Sequence, residues 1–166
     1  RITAQASIAF AASPAKPQSF SGSSDVATIM SGIASKMGLK FENSGVTTKL
    51  SDAYLWGSPR DQMIQVRDAS GINAQVLNGV MAIWPKNGKR GGQIITLSPK
   101  DGSLIGYPTY TAYGVILKSL YNPSFGLGQQ VKVQDSQLPP ANATWNVYSL
   151  NHELECQTPH GKWEST

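Results

Sequence analysis

His152, Cys156 and His160, spaced four apart, are the chain's single cysteine and both of its histidines. Thiolate and imidazole are what a tetrahedral zinc site uses. On a strand rising about 3.3 Å per residue, however, His152 and Cys156 stand about 13 Å apart, too far to share an ion. The expectation is a surface histidine, a half-buried thiol, no metal and no cofactor. Glu153 and Glu155 share one strand face, and Asp52, Asp61 and Asp68 lie elsewhere, but no motif pairs any two as acid and base, so solvated charge is their expected role. There is no Gly-X-Ser-X-Gly elbow, and only two histidines could serve as a base. The loop Lys86 to Gly92 lacks the spacing of a phosphate-binding Gly-X4-Gly-Lys-Ser/Thr motif. Asn142-Ala143-Thr144 matches a glycosylation acceptor, a frequent chance match. The expectation is a non-catalytic protein; a cell-wall hydrolase would need a paired acid and base that the chain does not present.

A different chemistry is open to the aromatic residues. Tyr54, Trp56, Tyr107, Tyr110, Tyr113, Tyr121 and Phe125 sit beside proline or glycine in turns and strand ends, where large rigid side chains anchor a subunit contact at low entropic cost. Ordinary core and loop packing is the alternative for the same residues. Trp84, Trp145 and Trp163 are assigned to the core.

The elements that must position these groups fall in order. Ile2 to Phe10 alternates as a strand in need of a partner, and Ser13 to Ser23 reads as a linker. Ser24 or Asp25 caps a helix whose apolar residues Val26, Ile29, Met30, Ile33 and Met37 recur at helical spacing, with Gly38 beyond its last turn. Short strands are expected over Leu39 to Phe41 and Gly45 to Leu50. Ser58-Pro59 with Asp61 three residues after Ser58 forms a capping box for a second, short helix ending at Gly71. Asn78-Gly79 between Ile72–Leu77 and Val80–Trp84 specifies a hairpin, because both turn residues adopt positive φ. A loop over 85–92, a strand over 93–97 and a turn over 98–102 follow. Beyond them Val115 to Tyr121, Gln129 to Gln134, Trp145 to Cys156 and Trp163 to Thr166 read as strands, with an exposed loop over 135–143. The predicted class is α+β: a small α/β subdomain with two helices and a β-hairpin over 24–97, then a β-barrel-like antiparallel half over 98–166, preceded by strand and linker over 1–23.

Composition bounds the function. With 166 residues, 40% hydrophobic and 14% charged, the chain can bury a core. A net charge of +4 spread over 14 scattered lysines and arginines gives no nucleic-acid footprint. One cysteine excludes an internal disulfide framework, and no apolar run approaches the ~20 residues of a membrane span. The first residue is Arg1 rather than Met, which reads as a fragment or processed product.

The stretch GYPTYTAYGVILKSLYNPSFGLGQQVKVQ, followed by TWNVYSLNHELECQTPHGKWEST, resembles the C-terminal part of phage tail baseplate hub proteins. Those run Gly-Tyr-Pro, a strand, Asn-Pro and a Gly-bearing turn, a Val-rich strand, then Gly- or Ala-X-Trp and a closing His/Glu strand ending in Gly-X-Trp. The resemblance covers roughly Ser24 to Thr166. It implies a structural virion protein, made in the bacterial cytoplasm and located in the tail, that forms a homotrimeric hub when full-length and joins the tail tube to a central spike or tip protein. It also implies an N-terminal barrel domain that this sequence lacks, so an uncovered barrel edge would invite strand swapping. As an alternative, Asp25 to Gly38 looks like the first helix of LysM domains, which would make the chain a peptidoglycan-binding module.

Overall fold

The computed structural model describes residues 13–166, so the strand expected over Ile2 to Phe10 lies outside the described residues. The chain divides into two compact units, between Gly88 and Lys89.

In the first unit, strand β1 (Gln18–Asp25) leads directly into helix α1 (Val26–Lys36). Asp25 caps the helix by accepting from the Thr28 amide at 3.1 Å. Val26, Met30, Ile33 and Ala34 have no exposure and carry the apolar stripe that the spacing predicts. Gly38 turns the chain out at φ 67°. Strands β2 (Lys40–Asn43) and β3 (Lys49–Leu55) follow, then helix α2 (Pro59–Ser70) with its Ser58–Asp61 capping box formed and Gly71 left-handed at its end. It has 12 residues, one more than α1. The hairpin β4 (Ile72–Leu77) and β5 (Val80–Pro85) turns on Asn78 and Gly79 at φ 50° and 75°.

Strand β5 lies between β4, antiparallel, and β2, parallel. Its Met81, Ala82, Ile83 and Trp84 are all buried, which is why the sequence there is a continuous apolar run rather than an alternation. The serine-rich segment read as linker is, from Gln18 on, strand β1. It pairs antiparallel with β3 and is interrupted by an irregularity between Phe20 and Ser23. Here Gly22 donates its amide to Asp52 Oδ1 at 2.8 Å, and Asp52 itself stands at φ 50°. Strands β2 and β3 belong to different sheets.

The second unit holds β6 (Ile95–Leu97), the hairpin β7 (Thr109–Thr111) and β8 (Gly114–Ile116), β9 (Ser119–Leu120), β10 (Gln130–Val133), a 3-10 turn (Pro139–Ala141), β11 (Thr144–Asn146), β12 (His152–Leu154) and β13 (Trp163–Ser165). These form small sheets ordered β11-β10-β6 and β12-β13-β9, plus the β7-β8 ribbon. The architecture is α+β, as expected, but no closed barrel is found among the described residues, and β6 runs parallel to β10 in the half read as antiparallel. Two expected strands are shorter than their patterns. Val115 to Tyr121 is broken between β8 and β9, and Trp145 to Cys156 between β11 and β12, because each half pairs in a different sheet. Val131 and Val133 face inward and Lys132 outward, as alternation requires. They join Leu97, Leu104 and Phe125 in the core of this unit, with Trp145, Val147 and Leu150 packed against it.

Candidate functional site

The groups that could do acid, base or metal chemistry are tied into local structure. His152 Nδ1 lies 2.9 Å from Ser165 Oγ across the β12–β13 pair, and the Tyr121 ring meets the imidazole edge-on at 5.0 Å. Cys156 is exposed rather than half-buried. Among the described residues, no three His, Cys, Asp or Glu are grouped to hold a metal ion.

Glu153 and Glu155 both serve the loop between β12 and β13. Lys162 Nζ reaches Glu153 Oε1 at 3.1 Å, and the Lys162 amide donates to Glu155 Oε2 at 3.0 Å. The hydrogen bond and charge of Glu153 raise the Lys162 ammonium above its usual pKa. Hydrogen bonds from the Ser58 hydroxyl and amide lower Asp61, and the hydrogen bond from Arg67 lowers Asp68. Lys100 does the same for Asp135, at 2.8 Å. Asp61, Asp68 and Asp135 are each stabilised in the charged form by a capping or surface contact, the opposite of a carboxyl kept protonated for general acid work.

The aromatic candidates separate by position. In the first unit Tyr54 and Trp56, at and just past the end of β3, are exposed, and Gln65 of α2 donates to the Trp56 carbonyl at 2.9 Å, fixing that corner. In the second unit Tyr107, Tyr110 and Tyr113 are exposed, with Tyr113 87% exposed at the tip of the β7–β8 ribbon. Tyr107 donates its hydroxyl to Gln137 Oε1 at 3.1 Å. Tyr121 is half-buried, stacked edge-on against Trp163 at 5.9 Å. Phe125 is buried in the second unit's core. Of the tryptophans assigned to the core, Trp84 is buried and Trp145 half-buried, but Trp163 is 50% exposed and donates its indole N–H to the Glu155 carbonyl.

Sequence reading missed Tyr148, Ile116 and a cleft of about 330 Å³ that they border in the second unit. Its lining includes Phe125, Val131, Trp145, Val147 and Leu150, and the floor is therefore apolar. One signal in the sequence marks it: residues 102–117 and 136–151, which supply most of its walls, contain no Asp, Glu, Lys or Arg. Among the described residues no helix is long and apolar enough to cross a membrane.

Compared with known proteins, residues 1–160 match the model of a family described as baseplate hub gp41. No curated protein matches the chain.

Proposed function

The chain belongs to the baseplate hub gp41 family, a structural part of the phage tail, and we propose that it joins the tail tube to the central spike or tip as a non-catalytic assembly protein. The observation that carries this reading is the family match, which spans nearly the whole chain. The physical features agree with an assembly role. The ionisable groups with shifted pKa are all held in structural contacts, while large aromatics stand in solvent at Tyr54, Trp56, Tyr107, Tyr110 and Tyr113, where they can contribute buried area to a contact. These five are the contact residues of the proposal. Tyr121, half-buried, and Phe125, buried, would act through packing within the second unit.

In this reading the full-length protein is a homotrimer, threefold symmetry multiplying a modest interface, and the small sheets of the second unit are part of a barrel-like domain that other strands complete. Nothing in the fold favours a LysM-like module, since α1 is followed after Gly38 by strand β2 and not by a second helix.

Immunogold labelling of phage particles with antibody raised against the chain tests the reading. Label at the tail tip is the expected result; intact, tip-accessible particles without label would overturn it.

A further inference from the structure

The cleft in the second unit is bordered by main chain with nothing to bond to. Among the described residues, the backbone N–H and C=O groups of Tyr148, Ser149 and Leu150 have no hydrogen-bond partner, although the residues on either side are paired. The Val147 amide donates to Gln129 and its carbonyl accepts from Gly128, while Asn151 exchanges both bonds with Thr166. Tyr148 and Ser149 are exposed, so these donors and acceptors are open to an incoming chain. The break falls in the middle of the run Trp145 to Cys156, which the sequence pattern reads as one strand.

An unpaired main-chain edge beside an apolar trough is the geometry that takes up an added β-strand, the edge giving affinity and the trough receiving alternate side chains. The charge-free walls restrict the guest further. A strand carrying ionised side chains would leave them beside an apolar floor without a counter-charge. The guest must be extended, uncharged and apolar at every second position.

One segment of this chain that lies outside the described residues has that chemistry. Residues 2–10, ITAQASIAF, place Ile2, Ala4, Ala6, Ile8 and Phe10 at alternate positions, and no charged residue occurs between Arg1 and Lys16. At about 3.3 Å per residue a nine-residue strand reaches about 30 Å, ample for the three unpaired residues and their neighbours. We infer that the cleft receives residues 2–10 of a second copy, paired along Tyr148 to Leu150. This stands on the cleft and the sequence and does not require the hub reading.

The test uses the full chain in three forms: wild type, Ile8→Asp in the guest segment, and Ser149→Pro in the receiving edge. Sedimentation velocity reads self-association, and a fluorescent peptide of residues 1–12 reads the cleft directly. The wild type should associate with increasing concentration, Ile8→Asp should associate at least tenfold more weakly yet bind the peptide, and Ser149→Pro should do neither. Circular dichroism and thermal unfolding check that both variants stay folded, which the exposed position of Ser149 allows. Overturning results are association of Ile8→Asp equal to wild type, no peptide binding at roughly 1 mM, or a wild type that stays monomeric at every concentration.

Discussion

Gln18 on β1 donates a 2.6 Å hydrogen bond from its side-chain amide to Oε1 of Gln62, a helix residue with no solvent exposure. Gln62 in turn donates to the carbonyls of Lys16 and Gly57, at 3.3 and 3.4 Å, and so ties the start of β1 to α2. A buried amide of this kind is stable only with its partners in place. Replacing Gln62 by alanine takes the partner from the Gln18 side-chain amide and the Lys16 carbonyl, leaves the Gly57 carbonyl with only the Ala15 amide, and opens a gap, and should lower the stability of the first unit by about 1–3 kcal/mol. Urea denaturation, with amide hydrogen exchange of β4 and β5 to report on the first unit, measures this. Loss within error would mean that β1 is held by its pairing with β3 alone.

The capping box of α2 makes a prediction with a sign. The Ser58 hydroxyl and amide hold the Asp61 carboxyl below its usual pKa. Because the folded-state value lies below the unfolded value of about 3.9, the stabilisation is complete above that value and disappears as pH falls through the folded-state pKa. Asp61→Asn should therefore be less stable than wild type at neutral pH, and the gap should shrink as the solution is acidified through the carboxylate range. Thermal unfolding at pH 7 and at stepwise lower pH checks it; a gap that widens on acidification would contradict the assigned cause. Ser58→Ala removes the cap itself and should cost about 1 kcal/mol.

Gly161 is constrained by a close approach. A methyl group at its Cα would stand 2.8 Å from the Glu155 carbonyl oxygen and 3.1 Å from that of Thr158, both of them backbone atoms that cannot swing away. Gly161→Ala should loosen the loop that joins β12 to β13 and cost about 1–3 kcal/mol, as overpacking does. Amide hydrogen exchange offers a local readout: the β13 amides should lose protection while those of β4 and β5 keep theirs.

What the sequence made legible is what is local. The caps of α1 and α2 and the Asn78-Gly79 hairpin depend on residues within a few positions of one another, and their φ angles and hydrogen bonds follow from residue type. Strand β1 was hidden in a serine-rich stretch because its partner β3 lies some thirty residues on, and Gly22 and Ser23 at the irregularity look like linker residues. The break at Tyr148 to Leu150 was equally hidden. Its sequence alternates well enough for one strand, but Thr144–Asn146 pairs with β10 and His152–Leu154 with β13, and the change of partner is a property of the whole unit. The aromatic candidates show the same limit, since Tyr113 and Phe125 occupy similar glycine-rich settings but only the tertiary fold decides which faces water.

That contrast between Phe125 and Tyr113 yields the prediction that bears most directly on function. Phe125 is 7% exposed and packs in the second unit's core with Leu97, Leu104, Val131 and Val133. Phe125→Ala should cost about 3–5 kcal/mol and disturb any activity through folding. Tyr113, 87% exposed on the β7–β8 ribbon, bonds among the described residues through its own turn, its amide donating to Thr111 Oγ1 at 3.2 Å. Tyr113→Ala should change stability by no more than about 0.5 kcal/mol. If Tyr113 is an assembly contact, phage carrying that substitution will make stable hub protein yet yield fewer complete tails, as counted by electron microscopy beside wild type and with thermal unfolding of the purified chain as control. Full tail yield from Tyr113→Ala and from Tyr110→Ala alike would remove the ribbon from the contact surface and leave Tyr54 and Trp56 of the first unit as the aromatic anchors to test.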